Sequence, residues 1–178
     1  MKIVCGLFLV IALVAAPVAA QISYLTAAGQ TIFVSSDFTT ANSVQFQNIT
    51  GLTFTMAANK AQNVPIHCVL AYSQATAAVS DSFGFSIGVV APTSMQIFGA
   101  MWTAASTVSY GQAVISTATS AAAVTATPSA ITTIWIAQMD ALVEVPSNAS
   151  QMTITAVVKT TTGANAITVK RGSYCVLF

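Results

Sequence analysis

Alternation of apolar and polar side chains is the feature that most constrains the fold of this chain. Leu52, Phe54 and Met56 are separated by threonines, and residues 83–89 repeat the pattern with Gly and Ser between apolar residues. A two-residue period places alternate side chains on opposite faces of an extended strand. It predicts strands with one buried face, and no segment carries the apolar stripe of a long amphipathic helix.

About ten short strands follow from this pattern, each rich in the β-branched and aromatic residues that suit a pleated surface. The predicted strands are 31–36, 52–56, 64–72, 83–89, 94–102, 108–116, 131–139, 152–158, 166–170 and 173–178. Residues 117–126 contain little but Ala, Ser and Thr, which is compatible with a loop, an edge strand or a hairpin tip. So many short strands predict an all-β sandwich or barrel.

The first twenty residues have the pattern of a cleavable secretory signal. Lys2 precedes an apolar run over 3–14, and Val18, Ala19 and Ala20 provide the small residues of a cleavage site before Gln21. An N-terminal membrane anchor is the alternative, but the run is shorter than the ~20 residues of a comfortable span. We therefore predict a signal peptide over 1–20, a single domain over 21–178, and a secreted or cell-surface location.

Charged residues are scarce, with five Lys+Arg and four Asp+Glu in 178 residues. The carboxylates are each predicted to lie in a turn or on the surface: Asp37, Asp81, Asp140 and Glu144. Acid–base and metal chemistry need clustered ionisable groups, so we predict no enzymatic activity, no metal and no cofactor. The absence of a basic patch argues against a nucleic-acid partner, and no segment of the mature chain is typical of membrane binding.

Removal of the signal would leave four basic and four acidic side chains, and a formally neutral surface repels its own copies weakly. This balance favours a homo-oligomer. A monomer kept in solution by uncharged polar side chains is the alternative.

Two cysteines remain after signal removal, Cys68 and Cys175. In an exported protein they can form one disulfide, or they can remain buried free thiols. A bridge requires that their strands be neighbours with both side chains on one face. The sole histidine, His67, adjoins Cys68 in the same predicted strand, so the two point to opposite faces and do not share a site.

Aromatic side chains provide the one candidate contact surface, formed by Trp102, Tyr110 and Trp135 with Phe98 and Tyr24. Aromatic faces can stack on sugar rings. A sheet buried on both faces, or a subunit interface, explains the same residues and is the favoured interpretation.

Both ends of the domain resemble a known module. Ser36-Asp37-Phe38-Thr39-Thr40, the segment 44–54 and the closing segment 166–174 resemble the first strands and the last hairpin of a compact jelly-roll module. That module is common in phage virion and tail-associated proteins and in bacterial surface proteins, and it is similar in layout to the tumour-necrosis-factor and complement globular-head families. The signal peptide departs from the phage proteins and favours an exported cellular protein.

The resemblance implies a two-sheet jelly-roll sandwich that acts as a structural or adhesive head, often as a trimer. In that layout the last strand lies beside the strand that holds Cys68, which supports a bridge to Cys175.

These observations predict an exported, non-enzymatic structural or adhesive surface protein that self-associates. A carbohydrate-binding module, with a glycan or cell-surface partner, is one alternative. The other is a pilin-like filament subunit that exchanges a strand, with Ile22, Tyr24 and Leu25 as anchors.

Overall fold

A computed structural model describes residues 29–41, 44–57, 62–76, 79–117, 119–130, 133–147, 151–161 and 165–178. The predicted signal peptide and the residues Ile22, Tyr24 and Leu25 lie outside the described residues. Twelve β-strands and no helix occur in the described part of the chain. The strands are β1 (Gln30–Phe33), β2 (Phe38–Thr39), β3 (Gln47–Met56), β4 (Gln62–Gln74), β5 (Asp81–Gly88), β6 (Ser94–Ala104), β7 (Thr107–Ile115), β8 (Ser120–Ala126), β9 (Trp135–Val145), β10 (Met152–Thr160), β11 (Ile167–Val169) and β12 (Tyr174–Leu177). No helix among the described residues is long and apolar enough to cross a membrane.

The strands pair as one nested antiparallel hairpin. β6 pairs with β7 at the centre, and around it β5 pairs with β8, β4 with β9, β3 with β10, β2 with β11 and β1 with β12. A second set of pairs, β12 with β4, β10 with β5 and β9 with β6, rolls this hairpin into two layers. A long hairpin wound into two sheets is the jelly-roll layout.

The two layers are a long sheet and a short sheet. The long sheet has the order β1-β12-β4-β9-β6-β7, with β11 also beside β4 and β2 beside β11, and the short sheet has the order β3-β10-β5-β8. The apolar members of the alternating strands fill the space between the sheets, and Tyr72 packs on Phe83 with ring centroids 4.8 Å apart. The predicted all-β, two-sheet jelly-roll sandwich is confirmed, with twelve strands in place of about ten.

The extra strands come from segments with weak patterns. β2 is only two residues long, and β8 is the Ala-, Ser- and Thr-rich segment for which the sequence left three interpretations open. β8 is an edge strand of the short sheet. Its small side chains allow close packing on Gly84, Gly99 and Gly111, where an added Cβ would overlap atoms of β8.

The strand predicted over 131–139 is displaced toward the C terminus. β9 begins at Trp135 and continues to Val145, with Ala141 and Val143 on its buried face. Asp140 and Glu144 interrupt the apolar run in the sequence, but both lie on the exposed face and leave the strand intact.

The two cysteines face each other across β4 and β12. Cys68 is in direct register with Cys175, their Cα atoms are 4.0 Å apart, and the structure contains the Cys68–Cys175 disulfide. Both residues are fully buried, so the bridge joins the last strand to the middle of the long sheet.

Candidate interaction surface

The outer face of the long sheet carries exposed apolar side chains on β9, β6 and β7. Four exposed apolar residues of this face form what we call the outer patch: Phe98, Tyr110, Val114 and Leu142. They are 51%, 80%, 70% and 44% exposed. In β6 and β7 the odd-numbered positions face the core, and the even-numbered positions therefore face outward. Exposed apolar groups that lie together mark an interaction site more often than isolated ones do.

Strand register brings the members of the outer patch together. Val114 lies opposite Gln96, which in turn lies opposite Leu142, and Phe98 lies opposite Gln112. Side chains opposite each other on one face of a sheet are within ~5.5 Å at their Cβ atoms. Phe98 is therefore the diagonal neighbour of Tyr110, Val114 and Leu142, at ~7–8 Å, and the patch extends over three strands to the edge strand β7. Gln96, Gln112 and Asp140 lie directly opposite its members.

The structure brings together two of the three predicted aromatic residues. Trp102 on β6 lies opposite Val108, on the same outer face as Tyr110 on β7. Trp135 belongs to the inward-facing set of β9, packs against the core, and donates its indole N–H to the carbonyl of Ala130 at 3.3 Å. Trp135 therefore does not join Trp102 and Tyr110 on the predicted surface, because it lies on the same inward face of β9 as Ala137 and Met139.

A shallow depression of ≈ 320 Å³ lies within the outer patch, lined by Phe98, Gly99, Tyr110, Gly111 and Gln112. The two glycines form its floor. Glycine is needed at both positions because β8 packs closely against the inner side of the sheet. A Cβ on Gly111, for example, would overlap the carbonyl oxygen of Ala123 in β8. Glycine inside a strand pattern signals a close backbone approach, and this was the only trace of the depression in the sequence.

Charge around the outer patch is low and locally paired. β6 and β7 contain no charged residue. On the neighbouring strands the Nδ1 atom of His67 lies 2.7 Å from Oδ1 of Asp140, and the hydroxyl of Ser94 donates to Glu144 at 3.2 Å. His67 is half-buried on the outer face, while the adjacent Cys68 points into the core.

A second polar site is buried between the sheets where β5 begins. Asp81 is fully buried, which differs from its prediction as a turn or surface residue. Its Oδ1 accepts a hydrogen bond from the Asn165 amide at 3.0 Å, and Asn165 Oδ1 accepts one from the Thr76 backbone N–H at 2.9 Å. Asp81 therefore ties the start of β5 to two neighbouring loops.

Two oxygen atoms in this buried region, Oδ2 of Asp81 and Oε1 of Gln74, have no hydrogen-bond partner among the described residues. Burial raises the pKa of Asp81 to about 7, and the hydrogen bond from Asn165 opposes part of that rise. The pKa of the Tyr72 hydroxyl is also raised, chiefly by burial and further by the nearby Asp81 carboxylate. A buried carboxyl is easier to accommodate as the neutral acid than as the anion.

No group of three or more His, Cys, Asp or Glu side chains is placed to hold a metal ion within the described ranges. An exposed ion pair lies at the β11–β12 turn, where Lys170 Nζ is 3.2 Å from Oδ2 of Asp37 and the Arg171 backbone N–H donates to Oδ1 at 2.8 Å. These donors hold the pKa of Asp37 below its ordinary value, the Arg171 N–H having the largest effect.

Comparison with known proteins gives no family. No family model and no curated protein matches the chain. Two solved structures have weak similarity, a structure of the infectious bursal disease virus Gx strain at 12% identity and the crystal structure of an infectious bursal disease virus VP2 subviral particle at 10%. Each has a TM-score of 0.22, covers 83% of this chain, and is matched over 38% of its own length. A TM-score this low carries no argument about function.

Proposed function

We propose that the chain is an exported structural or adhesive surface protein that self-associates through the β6–β7 end of its long sheet. The outer patch is the observation that carries this proposal. It leaves four large apolar side chains exposed on a disulfide-linked sheet, and two of its three strands, β6 and β7, contribute no charge to repel a second copy. On the third strand, β9, the carboxylates of Asp140 and Glu144 contact His67 and Ser94. Association would bury this apolar area, which is the main favourable contribution in most protein–protein contacts.

The test is the molar mass of residues 21–178 by light scattering over a wide range of concentration. We expect an oligomer that dissociates on dilution, and a Tyr110→Ser variant, changed on the edge strand β7, that associates roughly tenfold more weakly or worse. Phe33→Ser is the matched control, because Phe33 is 60% exposed on β1, at the far end of the same sheet. A monomer at every concentration would refute the proposal. The trimer expected from the family resemblance is a particular outcome of the same measurement.

Export is a separate part of the proposal and has its own test. Signal cleavage predicts that protein recovered outside the producing cell begins at Gln21. Recovery of an uncleaved chain in the cytoplasm would contradict it.

Carbohydrate binding is a second candidate function, favoured by the depression between Phe98 and Tyr110. Two exposed aromatic rings flank bare backbone and the Gln112 amide, an arrangement suited to an uncharged sugar ring. Binding to a glycan array that disappears in Tyr110→Ala would support it. An array without binding would count against it while leaving the self-association untouched.

A further inference from the structure

Besides the two-residue strand β2 at the margin of the long sheet, the described strands leave four sheet edges, and three of them have features that hinder pairing with another chain. The edge strand β1 has only four residues. β3 is interrupted at Gly51, with φ of +90°, where its register with β10 shifts between Thr155 and Val157. β8 is interrupted where its register with β5 shifts between Phe83 and Gly84. Short strands and bulges are the usual protection of sheet edges.

β7 is the fourth edge, and it has none of these protections. Its register with β6 is continuous from Val108 to Ile115. Its sequence, Thr-Val-Ser-Tyr-Gly-Gln-Ala-Val-Ile, contains no charged residue and no proline. No other strand among the described residues pairs with its free side. Along that side the backbone N–H and C=O groups of alternate residues are available to another strand.

We infer that β7 pairs antiparallel with β7 of a second copy, around a two-fold axis at Gly111, so that the two long sheets become continuous. This inference rests on the proposed self-association and specifies its geometry. A two-fold contact uses the same surface on both subunits, and an edge strand that pairs with itself satisfies that condition with main-chain hydrogen bonds.

The side chains of β7 are compatible with this register. Centring on Gly111 places Val108 opposite Val114 of the second copy, and Tyr110 opposite Gln112. The pairs are therefore apolar with apolar and aromatic with uncharged polar, with no like charges opposed. Tyr110 and Val114 are the most exposed members of the outer patch, and both gain a neighbour across the axis. The uncharged strand thus favours a second copy over a charged peptide.

The test compares two glutamine-to-lysine variants on the same outer face. Gln112→Lys adds a charge to the free edge beside the axis, while Gln96→Lys adds the same charge one strand inward on β6, where both sides are already paired. We expect sedimentation equilibrium to show the association of Gln112→Lys weakened roughly tenfold or more, because the two lysines would occupy diagonal positions ~7–8 Å apart across the axis. Association of Gln96→Lys should stay close to that of the unchanged chain.

The possible results separate this inference from the proposed function. Equal weakening by both variants indicates face-to-face stacking of the patch and overturns edge pairing, while self-association stands. A trimer insensitive to Gln112→Lys also overturns it, and so does an oligomer that needs residues 21–28. A chain that never associates refutes the proposed function itself.

Cysteine pairs test the register directly. Tyr110→Cys combined with Gln112→Cys places each new thiol opposite the other in the second copy, and oxidation should give a covalent dimer. The same spacing at Ser94 and Gln96 on β6, neither of which belongs to the outer patch, is the control and should give none. Failure of the first pair to cross-link while the protein is associated overturns the axis at Gly111.

Discussion

Replacement of Asp81 by asparagine should stabilise the protein at neutral and alkaline pH. Asp81 is fully buried, and burial raises its pKa from 3.8 to about 7. The asparagine side chain is nearly the same size, carries no charge, and keeps an oxygen that can accept from Asn165. Asp81→Asn therefore retains the neutral form at every pH and removes the cost of ionisation in the core.

The sign and size of the effect follow from proton linkage. The folded state binds the Asp81 proton more tightly than the unfolded chain does, so the stabilisation is complete below pH ~4 and is lost as the pH rises through ~7. A rise of about three pKa units corresponds to ~4 kcal/mol in total. Between pH 5 and pH 8 the loss from this one group is ~2–3 kcal/mol, because the remainder is already lost below pH 5.

Urea denaturation at pH 5 and pH 8 measures this difference in the free energy of unfolding. The unchanged chain should lose ~2–3 kcal/mol more than Asp81→Asn over that interval. Glu144→Gln is the control, since it makes the same carboxylate-to-amide change on the exposed face of β9 and keeps Asp81, so the ~2–3 kcal/mol loss between pH 5 and pH 8 should persist. Equal pH dependence in the unchanged chain and Asp81→Asn would refute the reasoning, because it would mean that Asp81 ionises as readily in the folded protein as in the unfolded chain.

Three further predictions concern packing, cross-linking and charge. Gly84→Ala should lower the free energy of unfolding by ~2–4 kcal/mol in thermal or urea denaturation, because the added Cβ would overlap the backbone of β8. Gly88→Ala, whose Cβ would meet only the hydroxyl of a threonine, should lower it clearly less, and equal losses would contradict this account. Cys68→Ser combined with Cys175→Ser should lower the free energy of unfolding by ~3–5 kcal/mol, given the 107-residue separation of the bridged residues, and an unchanged mass on reduction of the native protein would show that no bridge forms. NMR titration should place the pKa of Asp37 below its ordinary value, so its stabilising contribution is present above pH ~4 and is lost as acid protonates it; an unshifted pKa would mean that the turn does not hold the carboxylate.

The sequence predicted the fold because the strands with one buried face alternate clearly. Segments such as 52–56 and 83–89 carry large apolar side chains on one face, and all of their residues lie in strands except Val89, which follows the end of β5. β8 could not be predicted with the same clarity, since it packs with alanines against glycines and needs no large side chain. Its partners Gly84, Gly99 and Gly111 lie on three different strands, β5, β6 and β7, so the reason for its composition exists only in three dimensions.

The sequence predicted that aromatic residues form the candidate site, but it did not predict correctly which of them lie together. Aromatic residues on β6 and β7 were identified from composition and strand parity. Trp135 was grouped with Trp102 and Tyr110, although the start of β9 sets it on the inward face. The sequence predicts Asp81 in a turn or on the surface, where aspartates cap backbone donors, and nothing in the local sequence indicates that Asn165 completes a buried pair.

The nested pairing also governs the order in which the molecule can form. β6 and β7 are joined by a two-residue connection and can meet early, whereas β12 enters between β1 and β4. The long sheet therefore stays open until residues 174–177 have been synthesised, and the pairs formed last are those most distant along the chain. Such topologies fold slowly, and a chain of this kind must be kept from aggregating until β12 arrives.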